Sequence, residues 1–173
     1  ELMEIFAGIM PFLGIVILMF VITQIYTFYL KKIVFADILT IAILFVVRAL
    51  SGAVLIDVQI SPWLVLCPFF LSLFLSVGKR HSDILLMKEK SAKTRKVLKD
   101  YSQKLTESLM IISTTLLIIS YALYSFLSEH QNLLYTLPFA LFVIFRYYQL
   151  ISNGSVIARH PEKVIKDKAI IMG

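Results

Sequence analysis

Cysteine, histidine, glycine and acidic residues are all scarce in this 173-residue chain, and each shortage closes off a class of chemistry. The single cysteine, Cys67, excludes an internal disulfide framework and a thiolate metal cluster, and its apolar setting argues against a reactive thiol. His81, His130 and His160 stand at unrelated spacings in what read as separate loops, so they are set aside as ligands. The six glycines form no phosphate-cradling loop and no dinucleotide fingerprint, and no nucleophile elbow or zinc spacing occurs. No internal repeat and no low-complexity tract is visible. Charge is also thin, at 16% of residues against 59% hydrophobic, with a mean hydropathy of +0.86.

What is present is hydrophobic length. Apolar runs bounded by charge fall at 9–29, 34–53, 62–77, 105–127 and 133–150, near the ~20 residues that an α-helix needs to cross the hydrocarbon core. The fold class is therefore all-α, a polytopic transmembrane bundle of about five spanning helices forming one domain over 1–173. The third run is short; it either spans with little tilt or takes 58–61 as its first turn. Pro11, Pro68 and Pro138 lie near starts or inside runs, where neighbouring helices can satisfy the freed carbonyls.

The cations orient the bundle. Of the seventeen Lys and Arg, Lys31 and Lys32 lie in the first connection, nine lie in or beside the long basic connection over 78–101, and four follow the fifth span. By the positive-inside rule these three regions are cytoplasmic, and the turns around Asp57 and Glu129 face outward with Glu1 and Glu4. The net charge of +6 is thus a topology signal, and no nucleic-acid partner is expected. The chain begins at Glu1 and stops on an apolar stretch, Ala169 to Met172. The expectation is a portion of a larger membrane protein, incomplete at both ends.

The last two cations, Arg48 and Arg146, sit within spans, where an ionisable group is costly unless it has a partner or a wet cavity. Arg48 follows Asp37 by eleven residues, about three turns, so both project from one helix face. A structural ion pair with an interfacial anchor is one reading. A polar cavity, open to the cytoplasm and receiving an anion, is the other. Gly52, flanked by Ser51 and Ala53, reads as a close helix contact. Tyr26 reads either as an aromatic belt residue or as a hydroxyl at the cavity mouth.

The basic connection is more than a linker. Ile84, Leu85, Met87, Val97 and Leu98 interleave with cations in a way that suits interfacial amphipathic helices, and an anionic-lipid contact would suffice to explain it. Yet Lys79 and Arg80 are adjacent at the exit of a span, Asp83 follows, and Arg95 and Lys96 return before Tyr101. Guanidinium and ammonium groups at a cavity mouth suit phosphate, Arg by paired hydrogen bonds and Lys as a point charge. A carboxylate among them suits magnesium through water, or orients a cation.

The ordered strings YTFYLKK, FADI, VVRALSGA, SPWLVL, GKRHSDI, TRKVLKDYS, FRYYQL, NGS and HPEKVIKDKA resemble the UbiA prenyltransferase superfamily, and within it the decaprenyl-phosphate phosphoribosyltransferase branch. The resemblance runs over essentially the whole chain. It implies a magnesium-dependent transfer of a phosphoribosyl group from phosphoribosyl pyrophosphate to a polyprenyl phosphate, in cell-envelope biosynthesis at a prokaryotic plasma membrane. It also implies that this chain corresponds to the C-terminal portion of such an enzyme, without the N-D-x-x-D metal motif, and is inactive alone. Tyr26, Leu30 and Lys31 match the family's Tyr-x-x-x-Leu-Lys pattern; Asp37, Arg48 and Gly52 match the following helix. Lys79 and Arg80 match the basic pair, Arg95 and Tyr101 the later motif, and Asp83 stands where Glu is common. From this follow Asp37 and Lys31 as catalytic residues that shape the acceptor or sugar pocket, with Arg48 holding Asp37. Lys79, Arg80, Arg95, Tyr26, Arg48 and Tyr101 follow as substrate-binding residues, and Asp83 as the one metal candidate. A homo-oligomer is compatible with this picture. The competing expectations are a prenyltransferase of the same superfamily, joining an isoprenoid pyrophosphate to an aromatic or other acceptor, and a non-enzymatic transporter or assembly subunit.

Overall fold

The computed structural model describes residues 2–56, 59–87, 101–128 and 131–153. They are helical, with no strand among the described residues: α1 (Leu2–Phe28), α2 (Ala36–Leu55), α3 (Pro62–Met87), α4 (Gln103–Leu127) and α5 (Leu137–Ser152). Tight 3-10 turns at Leu30–Lys32 and Gln131–Thr136 precede α2 and α5. Among the described residues, five helices are long and apolar enough to cross a membrane, as the hydropathy pattern required, and the protein is a multi-pass membrane protein. The chain divides into two compact units, Glu1–Leu73 and Phe74–Gly173.

In the first unit α1 packs against α2. The connection is short because the Tyr29 amide still donates a helical bond to Ile25 O (2.9 Å), the 3-10 turn follows at once, and Ile33 O receives the amide of Asp37 (3.2 Å). The chain enters α2 through Phe35 at φ 66°, a left-handed conformation in which a Cβ crowds the backbone at a cost of roughly 1–3 kcal/mol. That bend sets Asp37 in the first turn of α2, 1% exposed. A carboxylate there meets the positive end of the helix dipole. Small residues line the buried face of α2, with Ala42 and Ala53 among them. Gly52 is not one of them: it is exposed, and a Cβ added to it would meet nothing within 4 Å. The expected glycine contact at that position is therefore corrected.

The third span also differs from expectation. It takes no turn from the described residues 59–61. Instead Ser61 caps α3, its carbonyl and hydroxyl oxygens accepting from the Leu64 amide at 3.1 and 3.3 Å, and Pro62 opens the helix, where its missing N–H costs nothing. The length is made up at the other end. α3 continues through Gly78 to Met87, so Lys79 to Asp83 lie on a helix and not in a connection.

The second unit is built on hydroxyl-lined seams. The buried face of α4 runs Thr106, Met110, Ser113, Leu117, Ser120, in steps of three and four. Its hydroxyls turn back onto the helix: Ser113 and Thr114 donate to Met110 O (3.1 and 2.7 Å), Ser120 to Leu117 O (2.9 Å) and Ser125 to Tyr121 O (2.9 Å). Small, internally satisfied side chains let helices approach closely where lipid gives no hydrophobic drive. Gly78 is the closest approach. A Cβ there would lie 2.5 Å from Ile151 Cδ1 and 3.7 Å from Met110 Sδ, so α3, α4 and α5 meet around it. Phe74 stacks edge-on against Tyr147, with centroids 5.6 Å apart. At the far end of α4, the Thr136 hydroxyl donates to Leu133 O (2.5 Å), which leaves Tyr121 to donate to Thr136 Oγ1 (2.7 Å).

Candidate functional site

The candidate residues fall into two groups, one in each unit. In the first, the α1 to α2 turn gathers Tyr26 from the last turn of α1, Lys31 from the 3-10 turn and Asp37 from the start of α2; Tyr26 and Lys31 are half-buried. Arg48 is not part of this gathering. Eleven residues of one continuous helix separate it from Asp37, which at ~1.5 Å per residue is about 16 Å, beyond the combined reach of the two side chains. The shared helix face is real, but the expectation that Arg48 holds Asp37 is overturned by axial distance. Arg48 instead lines an open groove of about 270 Å³ between α1 and α2, with Met19, Thr23, Ile41, Leu44 and Phe45. Thr23 Oγ1 donates to Met19 O (2.7 Å), so the groove's one other polar side chain is already committed.

In the second unit the last turns of α3 carry a compact polar stretch. Lys79 is exposed, whereas Arg80 and His81 are each 5% exposed and Ser82 is fully buried. Arg80 Nη1 lies 3.9 Å from Asp83 Oδ2, one turn on. That pair is long for a hydrogen bond, so it is an electrostatic contact within a buried cluster. Tyr101, just before α4, is also buried. Arg95 lies outside the described residues, as does most of the basic connection beyond Met87. On α5, Arg146 Nη1 donates to Gln149 Oε1 (2.9 Å), one turn on.

Sequence reasoning missed His81. It set the residue aside as a loop histidine, but the imidazole is buried on α3 and its Nδ1 lies 2.9 Å from Thr106 Oγ1 on α4. The signal was available in GKRHSDI, which continues the preceding apolar run with no helix breaker other than Gly78.

Among the described residues no group of three or more His, Cys, Asp or Glu could hold a metal, and Asp83 is already close to Arg80. Magnesium is commonly held by one or two carboxylates plus substrate phosphates; Asp83 supplies a single carboxylate, which does not make a metal site by itself.

Comparison with proteins of known name gives relatives of one kind. The chain is 32% identical over 173 aligned residues to a decaprenyl-phosphate phosphoribosyltransferase of Mycolicibacterium smegmatis, covering 91% of this chain and 54% of that protein. It is 35% identical over 108 residues to the protein of the same name from Corynebacterium glutamicum, covering 62% of this chain and 32% of the relative. To that of Mycobacterium tuberculosis it is 26% identical over 166 residues, covering 92% and 54%. The chain thus spans about half the length of the curated relatives it matches. No family model matches it.

Proposed function

The chain belongs to the UbiA superfamily, in the branch of the decaprenyl-phosphate phosphoribosyltransferases, and on that footing we propose that its protein is a membrane-embedded enzyme moving a phosphoribosyl group from phosphoribosyl pyrophosphate to a polyprenyl phosphate. The observation that carries this reading is the alignment with relatives so named over 91% of the chain. The buried cationic stretch of α3 supports it independently.

The chemistry exchanges one bond at the anomeric carbon. The bond from ribose C1 to a pyrophosphate oxygen breaks, a bond from C1 to an oxygen of the lipid phosphate forms, and pyrophosphate leaves with the electron pair. The sugar passes through an oxocarbenium-like transition state. The nucleophile is already anionic, so positioning and charge stabilisation outweigh proton removal. Lys79 and Arg80 take the phosphate oxygens in this reading. Arg80 is suited to it because its guanidinium is buried, where an ionic hydrogen bond is stronger than in water. Arg95 and Tyr101 belong to the same donor-binding set. Asp37, Lys31 and Tyr26 are assigned to the acceptor or sugar pocket, and Arg48 to an anionic group in its groove. Of the described residues beside these cations only Asp83 could touch a magnesium ion carried by the donor's pyrophosphate, and the chemistry such an ion would supply is neutralisation of the leaving group's charge. In this reading the basic stretches around Lys31 and after Lys79 face the cytoplasm, as the positive-inside rule favours, and the membrane is a prokaryotic plasma membrane, as the family relationship suggests. Envelope-polymer synthesis is the proposed setting.

The test is a choice of donor. The full-length protein, purified in detergent, is given a polyprenyl phosphate with either labelled phosphoribosyl pyrophosphate or a labelled isoprenoid pyrophosphate. Label from the sugar donor alone entering the lipid phase is the expected result. Transfer from the isoprenoid donor alone would replace this reading with a prenyltransferase, and binding without transfer of either would favour a transport or assembly role.

A further inference from the structure

Most helical serines and threonines among the described residues return their hydroxyls to the backbone one turn earlier, as Thr40 does to Ala36 O (2.6 Å) and Thr114 to Met110 O (2.7 Å), although Ser72 is an exception. Ser82 does not. Its hydroxyl is fully buried and has no hydrogen-bond partner, a condition that costs roughly 1–3 kcal/mol. Its neighbour His81 shows what the stretch is arranged to do.

Thr106 is fully buried, and its hydroxyl carries one hydrogen. The oxygen lies 2.9 Å from Gln103 O and 3.3 Å from Ser102 O, carbonyls that can only accept, and 2.9 Å from His81 Nδ1. Donation into the backbone, the habit of helical threonines, leaves a lone pair towards the imidazole. Nδ1 therefore carries the hydrogen and donates to Thr106, and the neutral ring presents its lone pair at Nε2. Among the described residues Nε2 has no hydrogen-bond partner.

An acceptor in this position is chemically selective. Lys79 and Arg80, the residues just before it, offer only donors and suit phosphate. Nε2 offers a lone pair, which an ionised phosphate oxygen repels and a hydroxyl complements. In a phosphoribosyl pyrophosphate the ring hydroxyls at C2 and C3 are the hydrogen-bond donors; the phosphates accept. We propose that His81, oriented by Thr106, accepts a hydrogen bond from a ribose hydroxyl of the donor, so that this stretch of α3 reads the sugar while its cations hold the phosphates. The proposal rests on the phosphoribosyl-transfer reading and names the donor group that His81 recognises. Thr106 acts through His81 and is a positioning residue.

The experiment is a cycle of donor and protein in the full-length enzyme, measuring kcat/KM with phosphoribosyl pyrophosphate and with its 2-deoxy and 3-deoxy analogues. One deoxy donor is expected to lose about tenfold in the parent. His81→Phe loses a similar factor with the normal donor, yet discriminates no further against that deoxy donor. His81→Gln, whose amide oxygen reaches the place of Nε2, recovers part of the loss. If both deoxy donors match the normal one in the parent, the proposal is overturned without recourse to any variant. It is equally overturned if the deoxy penalty in His81→Phe equals that in the parent. A parent that transfers no sugar from any donor but uses an isoprenoid pyrophosphate removes the underlying reading, and this inference with it. A nitrogen-15 spectrum supplies a readout apart from turnover: Nε2 of His81 is expected to show the lone-pair-bearing type, and a protonated, pyrrole-type Nε2 in the neutral ring contradicts the assignment.

Discussion

Gly78→Ala should destabilise the second unit, although alanine is the better helix former. The new Cβ would stand 2.5 Å from Ile151 Cδ1, 3.4 Å from its Cγ1 and 3.7 Å from Met110 Sδ. Carbon atoms rest at ~3.5–4.0 Å, so the tip of Ile151 must withdraw by about 1 Å. It has little room to do so, since Ile151 is 1% exposed and Met110 2%. Overpacking of this kind costs about 1–3 kcal/mol, set against up to ~1 kcal/mol gained from helix propensity. The net expectation is a loss of about 1 kcal/mol, larger for Gly78→Val. Gly52→Ala is the matched control, because its Cβ meets nothing within 4 Å. Unfolding in detergent, followed by circular dichroism, should show Gly52→Ala at or above the parent and Gly78→Ala below it. Ile151→Val deletes the atom in closest conflict, so it should cost ~0.5–1.5 kcal/mol alone and close to nothing in the Gly78→Ala background. Equal stability of the two alanine variants, or additive losses in the double variant, would refute the three-helix contact.

The turn into α2 offers a second comparison: Phe35→Gly should be more stable than Phe35→Ala by about 1 kcal/mol, because both remove the ring and only glycine accepts φ 66° without strain. Tyr121→Phe removes the donor to Thr136 Oγ1 and should cost about 0.5–1.5 kcal/mol in the same unfolding assay; an unchanged midpoint would show the bond to be immaterial. In the full-length protein, Lys79→Ala and Arg80→Ala should weaken donor binding and lower turnover, each by tenfold or more for a lost charged hydrogen bond. Cys67→Ser, at a half-buried position on α3, should leave turnover near that of the parent, and equal activity of all three would sink the phosphate assignment.

The spans were legible because hydropathy over about twenty residues is a local property, and four of the five helices end close to where charge ends the apolar run. The end of α3 was not. Lys79 to Asp83 are polar, and polarity next to an apolar run reads as a connection unless something buries it; only tertiary structure shows that Arg80, His81, Ser82 and Asp83 are buried on a continuing helix. The glycines teach the same lesson. Gly52 sits among small residues, the usual sign of close packing, whereas Gly78 sits beside two cations, yet Gly78 makes the contact. What decides is the neighbour across the interface, which sequence spacing does not name. For Asp37 and Arg48 the angular argument was sound and the axial one was omitted, so a common face was taken for a common site.

The central claim is a phosphoribosyl transfer to lipid, and the mass of the lipid product tests it most directly. Incubation of the full-length protein with magnesium, phosphoribosyl pyrophosphate and a polyprenyl phosphate should yield a lipid heavier by one phosphoribosyl unit, with one pyrophosphate released per molecule. An unmodified lipid, under conditions where the donor is bound, would contradict the account.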